Sequence, residues 1–186
     1  MKTDNNIRSY IKENEARFLD ELFSLIRIPS ISAEPAHKAD MLQCAERWRE
    51  LLIAAGVDHA EVMPSAGNPL VFAEKHVDGD APTVLVYGHY DVMPVDPLEL
   101  WLSVPFEPEV RDERIFARGA DDDKGQSFIQ LKAFEYLVRT RQLNHNVKFI
   151  FEGEEEIGSP SLNGFLQQHH DLLKCDIILV SDTSML

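Results

Sequence analysis

At 186 residues and 44% hydrophobic content, the chain can bury one sizeable core and calls for no second independent domain. Its 32 acidic residues against 18 basic ones give a formal net charge of −14, which repels phosphate backbones and argues against nucleic acid as a partner. The opening stretch MKTDNNIRSYIKENEARF has no apolar run that could serve as a signal peptide or a membrane span, so a cytoplasmic location without membrane contact is expected.

Ile7, Tyr10, Ile11, Phe18, Leu22, Leu25 and Ile26 recur at three- and four-residue spacings, which predicts a helix over 5–27 with one buried face, ended by Pro29. A second helix is expected over 39–55, with Met41, Leu42, Ala45, Trp48, Leu51 and Leu52 turned inward and Gly56 as its C-terminal cap. Short β-like runs follow at 60–63, 70–75 and 83–87, the last apolar enough for a strand buried on both faces. Strand-like pieces at 109–111 and 115–117 lead to a helix over 124–140. A strand at 146–151, a short helix at 161–169 and an apolar strand at 176–180 complete the pattern. Strands alternating with helices at these lengths predict an α/β three-layer sandwich, a mixed and mostly parallel sheet covered by helices on both faces. Cys44 and Cys175 fall in unrelated segments, so a disulfide is not expected.

In such sheets chemistry gathers at the C-terminal ends of strands. Three of the apolar runs are followed there by metal-ligating residue types: His89-Tyr90-Asp91, Glu154-Glu155-Glu156 and Ser181-Asp182. A fourth cluster, Asp121-Asp122-Asp123, lies between a glycine-containing turn and a helix start. In an extended segment His89 and Asp91 project to the same side, so Asp91 can orient the imidazole, although for the pair taken alone a structural histidine beside a turn carboxylate is the favoured explanation. The three aspartates fit either a cation site or an acidic helix N-terminus. Neighbouring glutamates can divide labour, one binding metal and one taking a proton from water, or can form a solvated face. Neither Ser181 nor either cysteine has the context of a nucleophile.

The segments Gly88-His89-Tyr90-Asp91-Val92, Trp101 to Pro108, Arg118-Gly119-Ala120-Asp121-Asp122-Asp123-Lys124-Gly125, Glu152 to Ser159 and Ser181-Asp182 resemble, in this order, one metallopeptidase family. That family includes carnosinases, cytosolic non-specific dipeptidases, aminoacylase, glutamate carboxypeptidase and succinyl-diaminopimelate desuccinylase. The run from Tyr87 to Pro97 looks most like its dipeptidase and carnosinase branch. The resemblance implies two zinc ions, with manganese or cobalt as substitutes, held in part by His89, a bridging Asp122, Asp182 and Glu156. It makes Glu155 the general base, leaves Glu154 as a neighbour without a metal, places Asp91 beside His89 in the catalytic set, and implies a cis Asp122–Asp123 peptide. The implied activity is hydrolysis of a dipeptide or C-terminal amide bond, with an N-acyl amino acid deacylase as the alternative.

Members of the resembled family are longer, so residues 1–186 correspond to the N-terminal part of a catalytic domain, without the lid or dimerisation domain and the C-terminal catalytic part. Homodimerisation of the parent through that lid is implied by the resemblance. So is a histidine for the Glu156 metal from the C-terminal part, which leaves this chain by itself with little expected activity. His37, His59, His76, His145, His169 and His170 match no ligand position. The competing reading from another class is a non-catalytic binding or assembly module, with an apolar patch and a free sheet edge.

Overall fold

The structure is a computed structural model that describes residues 2–183. Helix α1 spans Lys2–Ile26 and α2 spans Lys38–Ala55. Both follow the predicted stripes, with two differences. In α1 burial deepens toward the C-terminal end, where Leu22, Leu25 and Ile26 enter the core, while Ile7 and Ile11 stay exposed. In α2 the stripe Met41, Ala45, Trp48, Leu52 and Ala55 is buried, and Leu42 lies about 100° off it and faces solvent. Gly56 adopts φ 106° and closes α2 through its N–H to the carbonyls of Leu52 and Ile53, the left-handed cap for which glycine has no steric cost.

Five strands form the main sheet: β1 (His59–Met63), β2 (Leu70–Lys75), β3 (Thr83–His89), and two later strands at Asn146–Glu152 and Ile177–Val180. Between them lie a small hairpin, β4 (Glu109–Arg111) with β5 (Arg114–Phe116), and helix α3 (Lys124–Arg139). The hairpin turns on Asp112 and Glu113, both at positive φ, the twist that tight hairpins require. The later strands are accordingly β6 (Asn146–Glu152) and β7 (Ile177–Val180), separated by helix α4 (Leu162–Gln168), about two turns long.

The sheet order is β1-β2-β6-β3-β7. The β1–β2 and β2–β6 pairings are antiparallel, and the β6–β3 and β3–β7 pairings are parallel. The sheet is therefore mixed as expected, with β2 supplying the antiparallel share. One face is covered by α1, α2 and α3 around Trp48, Phe149, Phe151 and Leu131. The other carries a smaller cluster in which Phe165 of α4 and Leu173 meet Phe72, Leu85 and Ile150.

Because β6, β3 and β7 run in one direction, their C-terminal ends lie along one rim. The register puts His89 opposite Glu152 and Tyr87 opposite Val180, so Asp182 emerges next to the end of β3. Among the described residues no helix is long and apolar enough to cross a membrane.

Candidate metal centre

His89 ends β3 fully buried. Its Nδ1–H donates to the Asp91 carbonyl oxygen at 3.0 Å, which turns Nε2 outward along the rim. There Nε2 meets Asp122 Oδ1 at 3.0 Å, Asp182 Oδ2 at 3.7 Å and Glu155 Oε2 at 3.9 Å. Among the described residues, His89, Asp122 and Asp182 are the one group of three or more ligating side chains whose donor atoms lie within 4.8 Å of one another.

Of the three adjacent aspartates, Asp122 and Asp123 point in different directions. Asp122 is 60% exposed and faces His89. Asp123 turns inward, where its Oδ2 accepts the His89 backbone N–H at 3.1 Å and the Ser127 hydroxyl at 2.6 Å. The Asp122–Asp123 peptide is cis, as the resemblance implies, and so is Asp96–Pro97, which nothing in the sequence reading anticipates. Close approach explains the glycine before His89: a Cβ on Gly88 would overlap Ser127 Oγ and come within 2.6 Å of Asp123 Oδ2.

Asp91 is as buried as His89 and does more than face the imidazole. Its Oδ1 lies 3.4 Å from His89 Nδ1, but its hydrogen bonds come from the backbone N–H groups of Glu155, at 3.2 Å, and Glu156, at 3.1 Å. One carboxylate thus ties the end of β3 to the short 3₁₀ turn Glu155–Ile157 that follows β6. Glu155 reaches toward His89, while Glu156 Oε1 accepts the Met93 N–H at 3.2 Å. Glu154 turns the other way and clasps two loops, accepting the Asn68 N–H on one oxygen and the Ser161 N–H on the other.

The electrostatics are those of several carboxylates gathered around one imidazole. Burial pushes the His89 imidazolium down, but the hydrogen bond and charge of Asp91, with Asp123 and Asp122, outweigh it and raise the pKa to about 10. Burial, then the charge of Asp122, raises the Glu156 carboxyl to about 7. Among the described residues no Lys or Arg forms an ion pair with Asp122, Asp182, Glu155 or Glu156. One aromatic nitrogen and two carboxylate oxygens at these separations are a donor set for a borderline divalent cation, which would also offset the crowding of negative charge.

These features agree with comparisons to known proteins. The model of peptidase family M20/M25/M40 matches residues 85–186, the segment that carries every one of these side chains. The chain belongs to that family. A cysteinylglycine-S-conjugate dipeptidase of Corynebacterium striatum is 32% identical over 91% of this M20 chain, which spans 37% of the relative's length. The crystal structure of an M20-family metallo-carboxypeptidase from Sulfolobus solfataricus superposes with a TM-score of 0.82 at 36% identity, over 91% of this chain and 38% of that one. Human carnosine dipeptidase 1 does so with a TM-score of 0.88 at 27% identity, over 97% and 41%. The chain thus spans about two-fifths of the length of each of these three relatives.

Sequence reasoning missed the groups behind the site. Asp123 and Ser127 stand four residues apart at the start of a helix, a spacing that brings them together, but three adjacent acids hid which one turns inward. Glu152 is buried at the end of β6 and accepts the Tyr87 hydroxyl at 2.5 Å and the Ser159 hydroxyl at 2.9 Å, contacts that depend on strand register. Lys124 and Ser30, both fully buried, carried no signal in the sequence beyond a lysine at a helix start and a serine after a proline.

Proposed function

We propose that this chain carries the metal-binding core of a hydrolase that cleaves dipeptide or C-terminal peptide bonds with a metal-activated water. The reading rests on the convergence of His89 Nε2, Asp122 and Asp182 at the rim of a parallel sheet segment. In this reading those three residues hold one divalent cation, with Zn2+ favoured by its preference for mixed imidazole and carboxylate donors and Mn2+ or Co2+ able to substitute. Asp122 also serves a second cation together with Glu156. Among the described residues no second group of three ligating side chains exists, so that cation needs a donor beyond them. When bound, the metal supplies Lewis acidity toward the amide carbonyl and the attacking water.

The chain's own groups do the rest. Asp91 holds His89 in the tautomer that presents Nε2 and fixes the backbone of Glu155 and Glu156. Glu155 is the general base of this reading, taking a proton from the water and returning it to the leaving amine, and its 38% exposure and 3.9 Å distance from His89 Nε2 support that role. Since Asp122 is largely exposed, water is not excluded from this rim, and hydrolysis by the 186 residues alone should be weak.

Zinc titration of the metal-stripped chain, read by equilibrium dialysis, tests the reading. One tight equivalent is expected, weakened about 100-fold or more in His89→Ala. Absence of zinc binding at micromolar concentrations would reject it. A panel of dipeptides and N-acyl amino acids, run on the longest available form of the protein, sets peptidase against deacylase. Faster cleavage of the acylated amino acids would move the assignment to the deacylase.

A further inference from the structure

Lys124 is fully buried, yet no carboxylate lies within ion-pair distance of its ammonium among the described residues. Burying a charge without a counter-ion is expensive, so the contacts that replace one carry information. Its Nζ donates to the Leu25 carbonyl at 3.0 Å and the Ile28 carbonyl at 2.7 Å, at the end of α1. Leu25 lies in the last turn of α1, at the negative end of the helix dipole, and each carbonyl accepts a backbone N–H besides the ammonium, Leu25 from Ile28 and Ile28 from Ser30.

The segment receiving Lys124 also holds the other half of the site. Two residues past Ile28, the Ser30 hydroxyl donates to the Tyr90 carbonyl at 2.6 Å, and the Val92 N–H donates to the Ser30 carbonyl at 2.9 Å. Ile31 then bridges to Val92. Residues 25–31 therefore moor the two pieces of chain that present His89 and Asp122: the end of β3 through Ser30, and the turn before α3 through Lys124. Covering the C-terminus of α1 alone would not require the same segment to grip residues 90–92.

We propose that Lys124 is a positioning residue for the metal centre: by anchoring the turn after Asp122 to the segment that also anchors the end of β3, its ammonium sets the spacing of His89 and Asp122. This rests on the assignment of His89, Asp122 and Asp182 as metal ligands. Methionine matches the lysine's length and removes the charge, so Lys124→Met separates packing from anchoring. In the metal-stripped 186-residue chain titrated with Co2+, Lys124→Met should lose about tenfold in affinity or more and shift the visible ligand-field bands of the bound ion. Leu131→Ala, in the same helix but in the core, should lower stability and leave the bands where they are. Should Lys124→Met fail to fold, Ser30→Ala decides, with about a threefold loss expected and the same direction of band shift. A folded Lys124→Met, or in its place Ser30→Ala, with wild-type affinity and bands would overturn the proposal. A wild-type chain that binds no Co2+ would overturn the ligand assignment and this proposal with it, whereas a binding wild type confines failure to Lys124.

Discussion

The two strands that flank the candidate site on either side of β3 are built from similar residues and live in different surroundings. β6 reads Asn-Val-Lys-Phe-Ile-Phe-Glu, pairs with a neighbour on each edge, and buries Phe149, Ile150 and Phe151 between two layers. β7 reads Ile-Ile-Leu-Val, pairs only with β3 among the described residues, and leaves all four side chains 40–63% exposed. Successive strand residues face opposite sides, so exposure of all four means that neither face of β7 is covered. An uninterrupted apolar run is what a strand buried on both faces looks like in sequence. The lesson concerns the site: His89 stands on a strand held from both edges, whereas Asp182 follows one held from a single edge.

Substitution within β6 should show the larger effect. Phe149 is fully buried, edge-on to Phe134 with ring centroids 5.2 Å apart, and near Phe151. Phe149→Ala removes a ring from the centre of the helix-covered face and should cost about 3–5 kcal/mol in urea unfolding. A loss below 1 kcal/mol would mean that this layer is not close-packed and that the contrast with β7 is empty.

Much of this arrangement is legible in the sequence, for a physical reason. Periodicity reports which face of an element is apolar, so the helices, the strands and the rim residues His89, Asp122, Glu155, Glu156 and Asp182 could be located from spacing and resemblance. The same signal cannot report what covers a face. Ile177–Val180 carries the pattern of an interior strand, Leu42 is apolar but lies off the buried stripe, and both are exposed. Nor does spacing reveal contacts that join distant segments. Asp91 meets the backbone of Glu155 and Glu156 some 60 residues on, and Lys124 meets the carbonyls of α1 almost 100 residues back. Those pairings exist only once the topology brings β3, β6 and α1 to one end of the sheet.

The helical layer over β6 adds a pH-dependent element that β7 lacks. Glu135 of α3, 1% exposed, accepts hydrogen bonds from Arg17 at 2.6 Å, Lys132 at 2.8 Å and the Tyr10 hydroxyl at 3.2 Å. Burial pushes its carboxyl up, but the bonds from Arg17 and Lys132 outweigh that and hold it below its ordinary 4.5. A carboxyl lowered on folding stabilises fully above the unfolded value and loses that contribution as pH falls through the folded one. Glu135→Gln should therefore cost about 1–3 kcal/mol at neutral pH, a cost that shrinks below about pH 4. A cost unchanged from pH 7 to pH 3 would show that Glu135 contributes packing and not charge.

The smallest effect belongs to the edge. Ile178 is 63% exposed and stands opposite Leu85 in the strand register, so Ile178→Thr keeps the β-branch that suits a strand and removes apolar surface that is mostly already in water. Its expected cost in dilute solution is within about 0.5 kcal/mol. The same measurement probes the comparison from the opposite side. A loss above about 2 kcal/mol is the size produced by uncovering a buried aliphatic group, and would mean that β7 is covered in solution by another surface. In that case Asp182 would stand on a strand supported as firmly as the one that carries His89, and the difference between the two halves of the site would vanish.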